Sequence, residues 1–245
     1  MAVVNQITLT GMVISATPVN EYDRRVVILT KERGKIVAFA KGARRPNSQY
    51  IAGTRPFSFG EFTMYEGRTA YNLVGISISN YFEEIATDIN CVYYGFYFLE
   101  FAEYFAEENM EAKDMLNLLY VSLRALMNKS ISNDLVKNIF ELKMFALNGT
   151  YPNVYECMEC GTNEQLEIFS LSRNGCICHD CKGRVKDGIE IGQSSIYAMQ
   201  YIISSKLEKL YTFTVSDEVL AELGMVMNRW ISKNIDKEFK SLELL

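Results

Sequence analysis

The chain has 245 residues, 49% of them hydrophobic and 22% charged, which suffices for a sizeable core in one large or two to three small domains. No run of eighteen apolar residues offers a membrane span, and the N-terminus lacks a basic segment followed by an apolar one, so a soluble, globular protein of the reducing cytoplasm is expected. A net charge of −5 would argue against nucleic acid, but residues 1–80 carry ten Lys and Arg against five Asp and Glu, while residues 81–245 carry fifteen against twenty-five. A basic module is followed by an acidic one.

From Ile7 to Phe82 short β-rich runs alternate with turns: Ile7–Ile14, Arg25–Thr30, Lys35–Ala40, Glu61–Glu66 and Thr69–Ile78. Lys31-Glu32-Arg33-Gly34 and Gly67 supply hairpin connections, each with a glycine where positive φ is needed. Five short strands in eighty residues suit a small closed barrel, the OB-fold being a common five-stranded type, with an SH3-like barrel left open by pattern alone. This places an OB-fold domain at 1–80.

After Phe82 the β signal stops, and the remainder, 81–245, reads as a helical domain, giving an α+β protein overall. Helices are expected at about 83–108, 112–128 and 132–147, with start signals at Asp114 and Ser132 and a stop at Asn148-Gly149 before Pro152. Two more follow near Ser194–Lys206 and Ser216–Asn234, so the segment at about 150–189 is an insertion in one helical domain. The aromatic stretch Tyr93–Phe105 has helical spacing and reads as packed core in preference to a base-stacking platform. Cys91 within it reads as a small buried hydrophobe.

The insertion carries the strongest local signal. Cys157 and Cys160 form one Cys-x-x-Cys pair and Cys178 and Cys181 another, with seventeen residues between the pairs, the spacing of a tetrahedral four-thiolate zinc site. Gly161 and Asn174-Gly175 tolerate positive φ where the chain must turn to aim two sulfurs at one point. Four protein thiolates leave no open coordination position, so one structural zinc per chain is expected in preference to a catalytic one or a redox dithiol. Cys176 and His179 crowd the second pair and are the alternative ligands. His179, the only histidine, reads more simply as solvent-facing.

The cations of the N-terminal domain come in three groups: Arg24-Arg25, the hairpin set Lys31, Arg33 and Lys35, and the loop Lys41-Gly42-Ala43-Arg44-Arg45. The last can lay a lysine and two arginines along a phosphate backbone with no sequence code implied. Phe39, Phe57, Phe59, Phe62, Tyr65 and Tyr71 are on the same barrel, and strand alternation hides about half of them. No phosphate-binding G-x-x-x-x-G-K-[ST] loop, H-E-x-x-H or deaminase-type H-x-E motif is present, and no catalytic residue is assigned. Binding is expected and an enzyme is not.

Three stretches together resemble one family, the bacterial recombination mediator and DNA repair protein RecO. They are Leu29–Ile36 running into Ala40–Arg45, then Arg55-Pro56-Phe57-Ser58-Phe59-Gly60-Glu61-Phe62, then Cys157–Gly161 with Asn174–Cys181. The chain departs from that pattern in having Asn174 where a double glycine is usual and Cys176 beside the ligands. The resemblance implies an OB-fold domain, a helical domain and a zinc element that supports the fold, since some relatives lack the cysteines. It implies a non-catalytic activity: binding single- and double-stranded DNA and annealing complementary strands. With RecR, the family helps to load RecA onto DNA coated by single-stranded DNA-binding protein, whose acidic C-terminal tail it contacts. It carries DNA contact onto Lys35, Lys41, Arg44 and Arg45, with Arg24 and Arg25 beside them, and a nucleoid-associated cytoplasmic location. A groove between helices with Lys137 or Lys143 at its rim is the candidate seat for the tail. The rival reading is a zinc-stabilised protein-interaction scaffold with incidental DNA affinity, kept open by the acidic portion.

Overall fold

The computed structural model describes residues 6–244. These divide into two compact units, one formed by residues up to Leu123 together with the segment from Phe239, the other by Arg124–Glu238.

The first unit is built on strands β1 (Gln6–Val19), β2 (Asp23–Thr30) and β3 (Gly34–Ala40), a single-turn helix α1 (Tyr50–Gly53), then β4 (Phe59–Glu66) and β5 (Tyr71–Asn80). The strands close into a barrel in the order β1-β2-β3-β5-β4, with β1 pairing β4. All pairs are antiparallel except β3 and β5, which meet in parallel at Ala38–Tyr71 and Phe39–Asn72. This crossover settles the choice of barrel in favour of the OB type. Alternate residues such as Leu9, Val13, Ile28, Phe62 and Met64 fill the interior. The opposite face of β1 and β2 is buried too, with Met12 and Leu29 fully enclosed, because α2 (Ile89–Phe105) packs on β1. That is why Val26–Leu29 is a continuous apolar run.

The helix expected from residue 83 begins later. Phe82 is left-handed, with φ 51°, Glu83–Thr87 forms a 3-10 turn, and the Asp88 carboxylate then caps α2 by accepting from the Asn90 N–H. Tyr97, Phe98 and Phe101 are fully buried, as their spacing predicts. The linker to α3 (Lys113–Leu126) runs along the β2–β3 hairpin, where Lys35 N–H donates to the Glu107 carbonyl, Asn109 N–H to Arg33 and Ala112 N–H to Lys31. Gly34 permits this approach: its φ is +60°, and a Cβ there would sit 2.0 Å from the Glu107 oxygen. The chain end returns to α2, with Phe239 against Tyr97 and Phe101 at centroid distances of 5.5 and 5.3 Å and the Ser241 hydroxyl donating to Glu100.

The second unit packs α4 (Asn133–Leu147), α5 (Gln193–Ser204) and α6 (Asp217–Asn234) together, and inserts a three-stranded antiparallel sheet ordered β7-β6-β8. Its strands are β6 (Leu166–Ser170), β7 (Gly175–Cys178) and β8 (Gly188–Glu190). Ser132 caps α4 and Ser216 caps α6, and α4 stops at Asn148 with Gly149 at φ +70°. Trp230 of α6 packs against Phe145 of α4 and Phe169 of β6. Among the described residues, no helix is long and apolar enough to cross a membrane.

Candidate metal centre and cationic surface

The fold brings Cys157, Cys160, Cys178 and Cys181 together, with their sulfurs all within 4.8 Å of one another. A metal–sulfur bond of about 2.3 Å in tetrahedral geometry separates sulfurs by about 3.8 Å, and Cys160 and Cys178 stand 3.7 Å apart. Four cysteines in this arrangement can bind a metal ion. The first pair sits on a turn closed by Gly161 N–H to Cys157 O and Cys157 N–H to Thr162 O, with Gly161 at φ +78°. The second pair hangs from the end of β7, where His179 N–H donates to Gln165 O. Asn174 takes the positive φ, +61°, in the β6–β7 turn. The neighbouring Gly175 is needed for a different reason: a Cβ there would meet the Asn153 carbonyl oxygen at 2.3 Å.

The sulfurs are electrostatically unequal. Burial opposes ionisation of Cys157, but N–H donors from Cys178, Cys160 and Glu159 outweigh it and draw the thiol down to about 6. Cys181 is pushed up to about 12 by burial and by the sulfurs around it. One negative sulfur raises its neighbours, and a bound cation relieves that repulsion. Three of the four side chains are buried and Cys160 is exposed. Cys176 lies outside the set as a buried thiol raised to about 12 by burial and by Cys157. His179 is exposed and its Nδ1 lies 2.9 Å from Glu167, which also receives Lys182.

In the barrel unit the loop after β3 is folded around a carboxylate. Asp23 accepts from the Gly42 N–H at 2.8 Å, which is the main cause holding its carboxyl below the usual range, and Gly42 takes φ +65°. Arg44 N–H donates to the Tyr22 carbonyl and its guanidinium to Glu21 O. Arg45 lies over the Tyr22 ring at 5.4 Å. Lys41, Arg44 and Arg45 are all exposed. Tyr22, 39% exposed beneath Arg45, is the aromatic the sequence reading passed over. Its only signal is its place in the turn between β1 and β2.

The other cations are placed differently. Arg24 points its guanidinium at the Ile51 carbonyl and the Thr54 hydroxyl, at 3.2 and 2.7 Å, and Lys35 donates to the Glu103 carbonyl near the end of α2 at 2.9 Å. Arg25 is half-buried on β2 opposite Thr17 and Phe39. Arg33 bonds Glu66 and Tyr71. Phe57 and Phe59 pack edge-on against Phe96 of α2 and Tyr120 of α3, and Phe62 is in the core. Phe39 and Tyr71 are half-buried, and Tyr65 is 36% exposed. In the second unit, Lys137 pairs with Glu141 at 3.1 Å. Lys143 is buried and donates to the Ile203 and Ser205 carbonyls at the end of α5. The cleft of about 800 Å³ between α5 and the segment entering α6, lined by Tyr197, Tyr201, Phe213 and Val215 among others, has no lysine or arginine in its wall.

A five-stranded OB-type barrel joined to helices that carry a four-thiol cluster defines a class of architecture, and the comparisons narrow it to one family. The model described as Recombination protein O N terminal matches residues 1–82, and that described as Recombination protein O C terminal matches 86–243. The chain is 31% identical over 98% of its length to a protein named DNA repair protein RecO from Acetivibrio thermocellus, covering 96% of that protein. It is 31% identical to the protein of the same name from Alkaliphilus metalliredigens, covering 96% of both. The chain belongs to the recombination protein O family.

Proposed function

We propose that this protein is a non-catalytic DNA-binding recombination mediator of DNA repair. It binds single- and double-stranded DNA, anneals complementary strands, and with RecR assists RecA loading onto DNA coated by single-stranded DNA-binding protein, contacting that protein's C-terminal tail. The observation that carries the reading is the loop Lys41–Arg45, three exposed cations on a backbone pinned to Asp23 and Tyr22, with an aromatic ring beneath one of them. Annealing requires a surface that offsets repulsion between two phosphate backbones while leaving base edges free to pair. Lys41, Arg44 and Arg45 meet the phosphates. Arg25 adds charge beside them, and Arg24 and Lys35 contribute field while holding the surface in shape.

In the same reading Cys157, Cys160, Cys178 and Cys181 hold one structural zinc, which supplies cross-linking of the insertion and no reaction step. The protein works in the cytoplasm at the nucleoid. The test is annealing of complementary oligonucleotides, with and without single-stranded DNA-binding protein, by wild type and by a folded Lys41→Glu/Arg44→Glu/Arg45→Glu variant. Acceleration by wild type that the variant loses supports the reading. Equal acceleration by both moves the DNA site off this loop, and none by either favours a protein-interaction scaffold. The observation on the scaffold's side is the stretch 81–123, with nine acidic residues and one lysine.

A further inference from the structure

The zinc-type insertion carries a concentration of positive charge that the barrel-centred reading does not use. Between the β6–β7 turn and the segment before β8 lies a cleft of about 450 Å³, walled by Ser172, Arg173, Arg184, Val185, Lys186 and Asp187. Arg184 and Lys186 are exposed and make no hydrogen bond or ion pair among the described residues. Two further cations brace the rim from α6: Lys233 donates to the Leu171 carbonyl and the Asn174 side chain, and Arg229 to the Asp187 carbonyl. Those acceptors are neutral, so both positive charges remain uncompensated. Arg173 is paired with Glu159 at 2.7 Å. Asp187 is turned to its own loop, accepting from the Ser170 hydroxyl and from the Ser172 hydroxyl and N–H. The wall thus holds three cations and one acid, Asp187, whose carboxylate is engaged by serines, and Lys233 and Arg229 bond the backbone that adjoins it.

We infer that this cleft is a second phosphate-backbone site for nucleic acid, carried by the second unit and not by the basic barrel. The inference rests on the DNA-binding reading above and adds a surface to it. The chemistry distinguishes nucleic acid from an acidic peptide: a peptide tail needs an apolar anchor as well as charge, and Val185 is the only hydrophobic residue in the wall. A phosphodiester backbone needs only spaced, uncompensated cations, and arginine suits its paired oxygens. A chain with one such site on each unit holds two backbones, as annealing demands.

The experiment measures the salt dependence of binding to a single-stranded oligonucleotide for wild type, Arg184→Gln/Lys186→Gln, the loop variant described above, and Lys206→Gln/Lys209→Gln as a charge-matched control. Metal content and circular dichroism certify each as folded. Two lost phosphate contacts at about 0.7 each lower the log–log slope by about 1.4 in the cleft variant, and the control leaves it unchanged. An unchanged slope in the cleft variant, with wild type binding normally, overturns the cleft and leaves the function standing. An equal fall in the control also overturns it, since the effect is then one of net charge alone. Failure of wild type to bind any DNA overturns the function and the cleft together. Loss of binding to a polyglutamate peptide with the DNA slope intact assigns the cleft to an acidic protein instead.

Discussion

Arg24 and Arg45 occupy the same basic face of the sequence, yet one guanidinium is turned into the protein and the other lies across a tyrosine at the surface. Arg24→Gln is expected to lower stability by about 1–2 kcal/mol, because the Thr54 hydroxyl and Ile51 carbonyl lose a charged donor. Arg45→Gln is expected to leave stability within about 0.5 kcal/mol while reducing the salt slope of DNA binding by about 0.7. Urea titration and salt titration separate the two. Charge was legible in the sequence, but direction was not, since the partners of Arg24 lie some thirty residues away along the chain. Asp187 gives a pH test. Burial works against its charge, but the donors from Ser172 and Ser170 prevail and hold its carboxyl at about 2. A depressed acid contributes stability above its unfolded value, near 4, and loses it as pH falls through the folded one. The stability difference between wild type and Asp187→Asn is therefore expected to be full above about pH 4 and to vanish by about pH 2, as read by urea midpoints along the acid limb.

Elements divide by how much of their pattern is local. The five barrel strands, the Ser132 cap and the Asn148-Gly149 stop were all visible, because alternation, capping and positive φ are written within a few residues. The start of α2 was misplaced by several residues because Glu83–Thr87 has helical composition, and the left-handed Phe82 and the Asp88 cap interrupt it. The sheet inside the insertion was missed because β6, β7 and β8 have five, four and three residues, too few for alternation to register. If the four cysteines hold a structural metal, so short a sheet is the element that it would cross-link. Chelating the metal in the intact protein is expected to strip hydrogen-exchange protection from β6 and β7 while Val26–Leu29 in β2 keep theirs. Retained protection in β6 and β7 after complete metal removal would falsify a structural role for the cluster. At the hairpin, Gly34→Ala is expected to cost about 2 kcal/mol or more, since it adds a collision with Glu107 to the left-handed backbone. Gly161→Ala, with nothing within 4 Å, bears the backbone cost alone, about 1 kcal/mol. Matched urea melts order the two.

Across the whole molecule, the acidic excess read for residues 81–245 is concentrated between 81 and 123, in the same compact unit as the basic barrel. Composition by halves detected the asymmetry but could not tell which unit owned it, because the chain enters the second unit at Arg124 and leaves it at Glu238. Phe239 is the clearest instance of a contact no local pattern reveals: 4% exposed, it covers Tyr97, Phe101 and Tyr104 from the far end of the sequence. Phe239→Ala is expected to destabilise the barrel unit by about 3 kcal/mol, measured as a shift of its urea midpoint. The same return has a consequence in time. A nascent chain finishes α2 long before Phe239 exists, and the stretch Arg124–Glu238 must be made in between, roughly ten seconds at about 5–20 residues per second. Throughout that interval the aromatic face of α2 lacks the Phe239 ring, so the first unit begun is closed only after the whole of the second has been made.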